Sequence, residues 1–179
     1  MLGSLDGARV LDLYAGSGAV GLEALSRGAE HVLLVEHGAR AARVIRENIE
    51  AIGLPGAVLA ADRVERVLAR GPAPAEGQDD PAGRPDAPAG AQDAPAGGRY
   101  DVVFADPPYA LADAALSQVL SLLAGQGWLA PGALVIVERA TRSGPVNWPD
   151  GFVPDRARRY GEATFWYGLA SASDREGAR

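Results

Sequence analysis

One repeated unit restricts the fold more than any other feature of this chain. A short apolar run leads into a tight turn, and a stretch of helical period follows. Ala8-Arg-Val-Leu-Asp-Leu-Tyr14 runs into Ala15-Gly16-Ser17-Gly18, after which Ala19 to Arg27 carries apolar residues at Val20, Leu22 and Leu25 among good helix formers. Gly28 is placed to cap that helix. The unit recurs as strand His31 to Glu36 and helix Ala39 to Ile52, where Ala42, Ile45, Ile49 and Ile52 share a face and Gly53 stops it. A third copy pairs strand Ala57–Asp62 with a short helix over Arg63–Arg70. Such alternation predicts an α/β fold with a mainly parallel sheet and right-handed crossovers.

Residues 71–99 break the rhythm. The segment is rich in Ala, Gly and Pro and has no branched aliphatic or aromatic residue, so it cannot bury enough surface to offset its ordering entropy. It reads as a disordered surface insertion in a single domain spanning 1–179, because the alternation resumes in phase at Tyr100. Tyr100 to Ala105 is the fourth strand and closes in Asp106-Pro107-Pro108-Tyr109. A helix over Asp113–Leu123 follows, with Asp113 as N-cap, and then a fifth strand over Ala133–Glu138. After a loop at 140–153, Arg156–Tyr160 and Thr164–Leu169 read as a closing antiparallel hairpin, and residues 170–179 as a frayed tail.

Composition excludes several classes. Cysteine is absent, which removes disulfides and thiolate catalysis. No run approaches the roughly 18–20 apolar residues of a membrane helix, and Met1–Asp6 lacks the basic and apolar blocks of a leader, so the cytoplasm is the expected compartment. The net charge of −6 weighs against a polyanionic partner. Half of it falls in 71–99, however, where Glu76, Asp79, Asp80, Asp86 and Asp93 oppose only Arg84 and Arg99. Every basic residue is arginine, the better bidentate phosphate ligand.

Gly16-Ser-Gly18-Ala-Val-Gly21 fits the G-x-G-x-x-G fingerprint, and Glu36 stands 20 residues after Gly16, where a ribose-binding acid belongs. A nicotinamide cofactor fits that pattern. Asp12 does not, since a carboxylate there repels a pyrophosphate but complements an ammonium group, and no hydride-transfer residue is evident. S-adenosylmethionine has an amino acid, a ribose and an adenine but no phosphate, and it suits both points. The glycine turn admits the methionyl part, Asp12 complements its positive charge, Glu36 accepts the ribose hydroxyls, and Asp62 accepts from the adenine amine.

The Asp106–Tyr109 turn supplies the second half of a reaction. An exocyclic amine on a nucleobase is a poor nucleophile because its lone pair is delocalised into the ring. Hydrogen bonds to the Asp106 carboxylate and the Pro107 carbonyl would aim that lone pair, with both prolines fixing the backbone. Tyr109 can stack on the base, a contact worth roughly 1–3 kcal/mol. A base within a helix would have to be flipped out. Read in isolation, Asp106 is equally a helix cap and the prolines a plain turn; the acids at three other strand ends favour the active-site reading. His31 and His37 lack metal-ligand spacing, so no metal is expected. Trp128, Trp148 and Trp166 read as core or edge residues.

With these residues in view, the chain resembles the RsmD-type small-subunit ribosomal RNA guanine-N2 methyltransferases. The carrying segments are Val10 to Ala29, Val35-Glu36 and Tyr100 to Tyr109, with a later Tyr160-Gly161 and Thr164. The resemblance implies a Rossmann-like class I S-adenosylmethionine-dependent methyltransferase fold and methylation of a guanine N2 in 16S RNA, within the small subunit or its precursor. It implies cofactor contacts at Asp12, Tyr14, Gly16, Ser17, Gly18, Glu36 and Asp62 and catalysis at Asp106, Pro107, Pro108 and Tyr109, in a monomer. The family carries a basic N-terminal segment with a β-hairpin ahead of its first motif. Only seven residues precede Ala8 here, so that segment is expected to be missing, with Arg139, Arg142, Arg156, Arg158 and Arg159 as candidate phosphate contacts. Rival readings are a DNA adenine-N6 or cytosine-N4 methyltransferase and a cofactor-binding module that needs a partner for RNA. Deleting residues 72–98 is expected to leave Tm nearly unchanged in a thermal melt; a large drop would show that the segment packs on the domain.

Overall fold

In the computed structural model, which describes residues 4–72 and 98–171, the chain forms one seven-stranded sheet in the order β3-β2-β1-β4-β5-β7-β6. The elements run β1 (Arg9–Leu13), α1 (Ala19–Ser26), β2 (His31–Val35), α2 (Ala39–Ile52), β3 (Ala57–Ala60), α3 (Val64–Ala69), β4 (Tyr100–Ala105), α4 (Asp113–Gly125), β5 (Leu129–Ala140), β6 (Phe152–Tyr160) and β7 (Ala163–Ala170). Strands β1 to β5 pair in parallel, and β7 lies antiparallel between β5 and β6. The α/β architecture with a closing hairpin therefore matches the sequence expectation.

Apolar side chains on both faces of each central strand explain why helices cover both faces. Leu11, Leu13, Leu33, Val35 and Val103 point toward α3 and α4, where they meet Leu68, Leu120 and Leu123. Val10, Val32 and Leu34 point the other way, against Leu22 and Leu25 of α1 and Ile45 of α2. The interval between α3 and β4 is bridged from both ends. Trp128, 1% exposed, stacks on Tyr100 at 5.9 Å and donates from Nε1 to the Leu68 carbonyl at 2.9 Å.

Several boundaries differ from the sequence reading. The fifth strand begins at Leu129 and not at Ala133, because Leu129 already pairs with Tyr100 across an irregularity in the register. The hairpin's first strand begins at Phe152, and Pro154 is tolerated because β6 is an edge. Ala170 is strand, and the Ser171 N–H donates to the Gly151 carbonyl at 2.8 Å, so fraying does not start at 170. Asp113 is the first helical residue of α4 and not its cap; Ala112 stands at the cap without a side-chain bond. The segment expected to be an insertion lies, apart from its ends, outside the described residues.

The third fingerprint glycine has a plain steric cause. A Cβ at Gly21 would sit 2.7 Å from Val32 Cγ1, 2.9 Å from Leu34 Cδ2 and 3.1 Å from Asp12 Oδ2. Only glycine lets α1 approach the sheet this closely. Gly21→Ala should therefore destabilise the protein by roughly 1–3 kcal/mol, measured by denaturant melts; an unchanged midpoint would show that the contact yields.

Candidate active site

The strand order changes direction between β1 and β4, the place where open parallel sheets bind ligands at their carboxyl ends. Leu13 pairs with Val35 on one side and Ala105 on the other, so the segments after β1, β2 and β4 emerge side by side. A cleft of about 290 Å³ opens there, lined by Tyr14, Glu36, His37 and the Asp106–Tyr109 turn. Glu36 and the whole Asp-Pro-Pro-Tyr turn are thus brought together, as the sequence predicts. His37, which the sequence places next to Glu36, joins them.

The turn after β1 is built from left-handed backbone. Gly16 and Gly18 have φ of 57° and 80°, and the Gly18 N–H donates to the Ala15 carbonyl at 2.7 Å. Tyr14 adopts φ 63°, a conformation that strains a side-chain-bearing residue and persists only where its surroundings enforce it. Its hydroxyl is buried without a hydrogen-bond partner among the described residues, and burial, aided by the Glu65 charge, pushes its pKa up. The Ser17 carbonyl accepts from Asn48 Nδ2 at 3.0 Å, which ties the turn to α2. No sequence signal marks Asn48, because the bond spans 31 residues.

Glu36 is held as a fixed fork. Its Oε2 accepts the Gly16 N–H at 2.9 Å and its Oε1 the Gly38 N–H at 2.6 Å, with 11% of the side chain exposed. Each oxygen keeps a lone pair for a further donor, the pattern a pair of adjacent hydroxyls requires. Asp12 lies beneath the turn and does not line the cleft. It is 2% exposed and accepts the Gly21 N–H at 3.0 Å. Burial pushes its pKa up to about 7; the Gly21 bond opposes this, and the charges of Asp106 and Glu36 add to it.

Asp106 stands exposed at the end of β4, with its N–H directed at the Leu13 carbonyl at 3.4 Å. Its carboxylate makes no hydrogen bond or ion pair among the described residues, and partial burial raises its pKa. Glu138, at the end of the fifth strand's inner part, is raised by burial and then by the Asp106 charge. Extending the strand-end rule to β5 would have found Glu138 from sequence. Pro107 is buried, and the Pro108 carbonyl accepts from Leu111 at 2.8 Å, while Tyr109 is 72% exposed.

Asp62 is placed differently. It does not line the cleft, and its oxygens accept from the Arg63 N–H and from Arg70, each at 2.7 Å. Burial acts to raise its pKa, but these bonds and the charges of Arg70 and Arg66 outweigh it and leave the carboxyl below its ordinary value. Arg139 is 8% exposed and donates to Asp113 at 2.7 Å and to the Leu111 carbonyl at 3.2 Å. It therefore anchors the segment after Tyr109 and is no phosphate contact. His31 is buried at the opposite end of the sheet against Tyr100, where burial and the Arg9 charge depress its pKa to about 4.

An edge carrying Asp12, Glu36, Asp106 and Glu138, where the charges of Asp106 and Glu36 add to the raised pKa of Asp12 and that of Asp106 to Glu138's, repels a pyrophosphate and suits a cationic ligand. Among the described residues there is no cluster of His, Asp and Glu fit for a metal ion, and no helix is long and apolar enough to cross a membrane. The fold is that of the class I S-adenosylmethionine-dependent methyltransferases. Residues 1–76 and 84–168 match the family described as Conserved hypothetical protein 95, and the chain belongs to that family. The ribosomal RNA small subunit methyltransferase D of Escherichia coli strain K12 is 30% identical over 145 residues; the match covers 79% of this chain, which spans only 60% of that relative. The solved structure of the putative methyltransferase yhhF from Escherichia coli superposes with a TM-score of 0.73 at 26% identity, over 94% of this chain and 79% of that one. An RNA methyltransferase from Salinibacter ruber, solved with S-adenosyl-L-homocysteine, shares the fold at 15% identity and a TM-score of 0.59, over 98% and 89% of the two chains.

The raised Asp12 carries a pH signature. Unfolded, the group releases its proton near 3.8; folded, it holds the proton to about 7. The native state thus binds more protons between these values, and its stability falls as pH rises through that window. Asp12→Asn removes the effect, so the variant should gain on the wild type by roughly 2–4 kcal/mol between pH 4 and pH 8. Paired denaturant melts of the ligand-free proteins test this; a gap that does not change with pH would mean that Asp12 titrates normally.

Proposed function

We propose that this chain transfers a methyl group from S-adenosylmethionine to the exocyclic N2 amine of a guanine in small-subunit (16S) ribosomal RNA, within the subunit or its precursor. The observation that carries the reading is Asp106, an unpaired carboxylate in the same cleft as the Glu36 fork and beside an exposed Tyr109. The RNA part of the proposal draws its support from the family and from the relative named above.

Bound S-adenosylmethionine supplies an electrophilic methyl on a sulfonium that is already a good leaving group. The chain's own residues do the rest. Glu36 accepts the two ribose hydroxyls on lone pairs that its backbone amides leave free. The left-handed turn at Gly16 and Gly18 admits the methionyl part, with Tyr14 as a wall and Ser17 held by Asn48. Asp12 stabilises positive charge through space, and Asp62 serves the adenine amine through lone pairs not taken by Arg63 and Arg70.

Asp106 accepts a hydrogen bond from the guanine amine and so directs the nitrogen lone pair toward the cofactor. As the nitrogen gains its new bond, its proton becomes acidic, and a carboxylate with a raised pKa is suited to receive it. Pro107 and Pro108 fix the acceptors, and Tyr109 stacks on the base. Orientation and electrostatics supply the rate, without a covalent enzyme intermediate.

The test is tritiated methyl transfer to small subunits that lack the modification, followed by nucleoside analysis. Label should appear in N2-methylguanosine; label in N6-methyladenine or N4-methylcytosine would sink the proposal. Asp106→Ala should lower kcat by about a hundredfold or more, while calorimetry shows the cofactor Kd changed only a few-fold. An equal loss of cofactor affinity would show that Asp106 serves the cofactor and not the base.

A further inference from the structure

A second cavity, of about 330 Å³, adjoins the first across Tyr109, which lines both. Its other walls are Ala140, Thr141, Arg142, Arg159 and Glu162. Two turns form it, one after β5 and one between β6 and β7, and they hold each other. The Thr141 N–H donates to the Glu162 carbonyl at 2.7 Å, and the Thr141 and Thr164 hydroxyls meet at 3.0 Å. Ala140 pairs with Ala163 directly beneath. The cavity is thus a fixed part of the fold.

The candidate arginines sort themselves by what they already bind. Arg139 is committed to Asp113, and Arg156 pairs with Asp155 while lying 4.4 Å over the Tyr167 ring. Arg158 does not line the cavity. Arg142 makes no hydrogen bond or ion pair among the described residues. Arg159 uses only Nε, on the Gly161 carbonyl at 3.0 Å, and its two terminal nitrogens make no bond among the described residues. The uncommitted guanidinium groups of the cavity are therefore these two, and both share its lining with Tyr109.

The same cavity is lined by a carboxylate, that of Glu162, and the mixture is informative. Two guanidinium groups bind a phosphodiester well, but Glu162 would oppose a bare anion. A ligand that carries both an anion and a hydroxyl donor satisfies all three groups. Single-stranded RNA is such a ligand, because each ribose carries a 2′-hydroxyl on the carbon adjoining its 3′-phosphodiester, and DNA lacks that donor.

We propose that this cavity is a ribonucleotide subsite. Arg142 and Arg159 hold the phosphodiester next to the target nucleotide, and Glu162 accepts the adjoining ribose 2′-hydroxyl. The inference rests on the methyltransferase reading, since it takes the base stacked on Tyr109 to be the one presented to Asp106. A backbone leaving that base toward the far side of Tyr109 enters the cavity.

The test uses two readouts. In methyl transfer to undermethylated small subunits, the double variant Arg142→Ala with Arg159→Ala should raise KM at least tenfold while the cofactor Kd stays at the wild-type value. In fluorescence binding to a labelled 20-nucleotide single-stranded RNA, the same variant should lower the slope of log affinity against log salt by about 0.7, as expected for one phosphate no longer neutralised. The paired lysine substitutions keep both charges and should restore that slope but not the full affinity. Glu162→Gln should shrink the preference for this RNA over the all-deoxy oligonucleotide of the same sequence at least threefold and leave the salt slope alone. Wild-type KM and salt slope in the double variant would overturn the subsite. A wild-type protein that shows the arginine-dependent slope yet transfers no methyl would instead overturn the methyltransferase reading and leave the subsite standing.

Discussion

The pairing of β1 with β4 is the constraint on which the site depends. These strands are far apart in sequence, yet Leu13 lies opposite Ala105, and the next amide along, that of Asp106, is directed back at the Leu13 carbonyl. Parallel register sets which residues leave the sheet together. A slip of two residues would keep every side chain on its proper face but carry Asp106 about 7 Å along the strand, away from Glu36. The register is held by packing on both faces. Leu11, Leu13 and Val103 fill one layer, Val10 and Val32 the other, and each of the five is 2% exposed or less. The core thus acts as a positioning device for a cleft that none of these residues touches.

The cleft is arranged at some cost to the unliganded protein. Asp12, Glu36, Asp106 and Glu138 crowd one edge of the sheet, and the first of them is buried deeply enough to hold a proton to about pH 7. No arginine is paired with Asp12, Asp106 or Glu138 among the described residues, although arginines elsewhere pair freely, as Arg27 does with Glu23 and Arg70 with Asp62. Withholding a countercharge leaves the position for a cation from outside. A ligand that fills it at a hundred times its Kd would stabilise the fold by about 2.7 kcal/mol. The strained Tyr14 and its unsatisfied hydroxyl, at the same wall, belong to the same pattern of stability given up near a binding site.

Local signals in the sequence were sufficient for the fold and for the line of the cleft. The glycine turn, the apolar strands and the Asp-Pro-Pro-Tyr turn all act within a few residues of themselves, and the structure places Glu36, Tyr14 and Asp106 through Tyr109 together. What depends on partners distant in sequence was not legible. Asp113 looks like a helix cap until Arg139, 26 residues later, takes its carboxylate. Asp12 looks like a cleft residue until the strand's alternation turns it under Gly21. Asp62 reads as a free strand-end acid, but Arg70 on the following turn reaches back to it. In each case the residue type was read correctly and its partner was not, because a one-dimensional pattern carries spacing within an element but not the contacts between elements.

The distribution of charge reconciles a net charge of −6 with the RNA substrate proposed above. Over distances beyond about 8–10 Å, salt screens exposed charges, so a partner at the surface meets the local field and not the total. Glu36 and Asp106 line the first cleft, while Arg142 and Arg159 line the cavity on the other side of Tyr109. One aromatic ring therefore divides an electronegative chamber from one with uncommitted guanidinium groups. In the proposed arrangement, a nucleotide reaching across it would meet a cation where its phosphate lies and a carboxylate where its amine lies. The same partition disfavours a misplaced strand, since a phosphate pushed past Tyr109 toward Asp106 would meet an unpaired negative charge. Specificity in this arrangement comes from repulsion within the cleft as much as from attraction outside it.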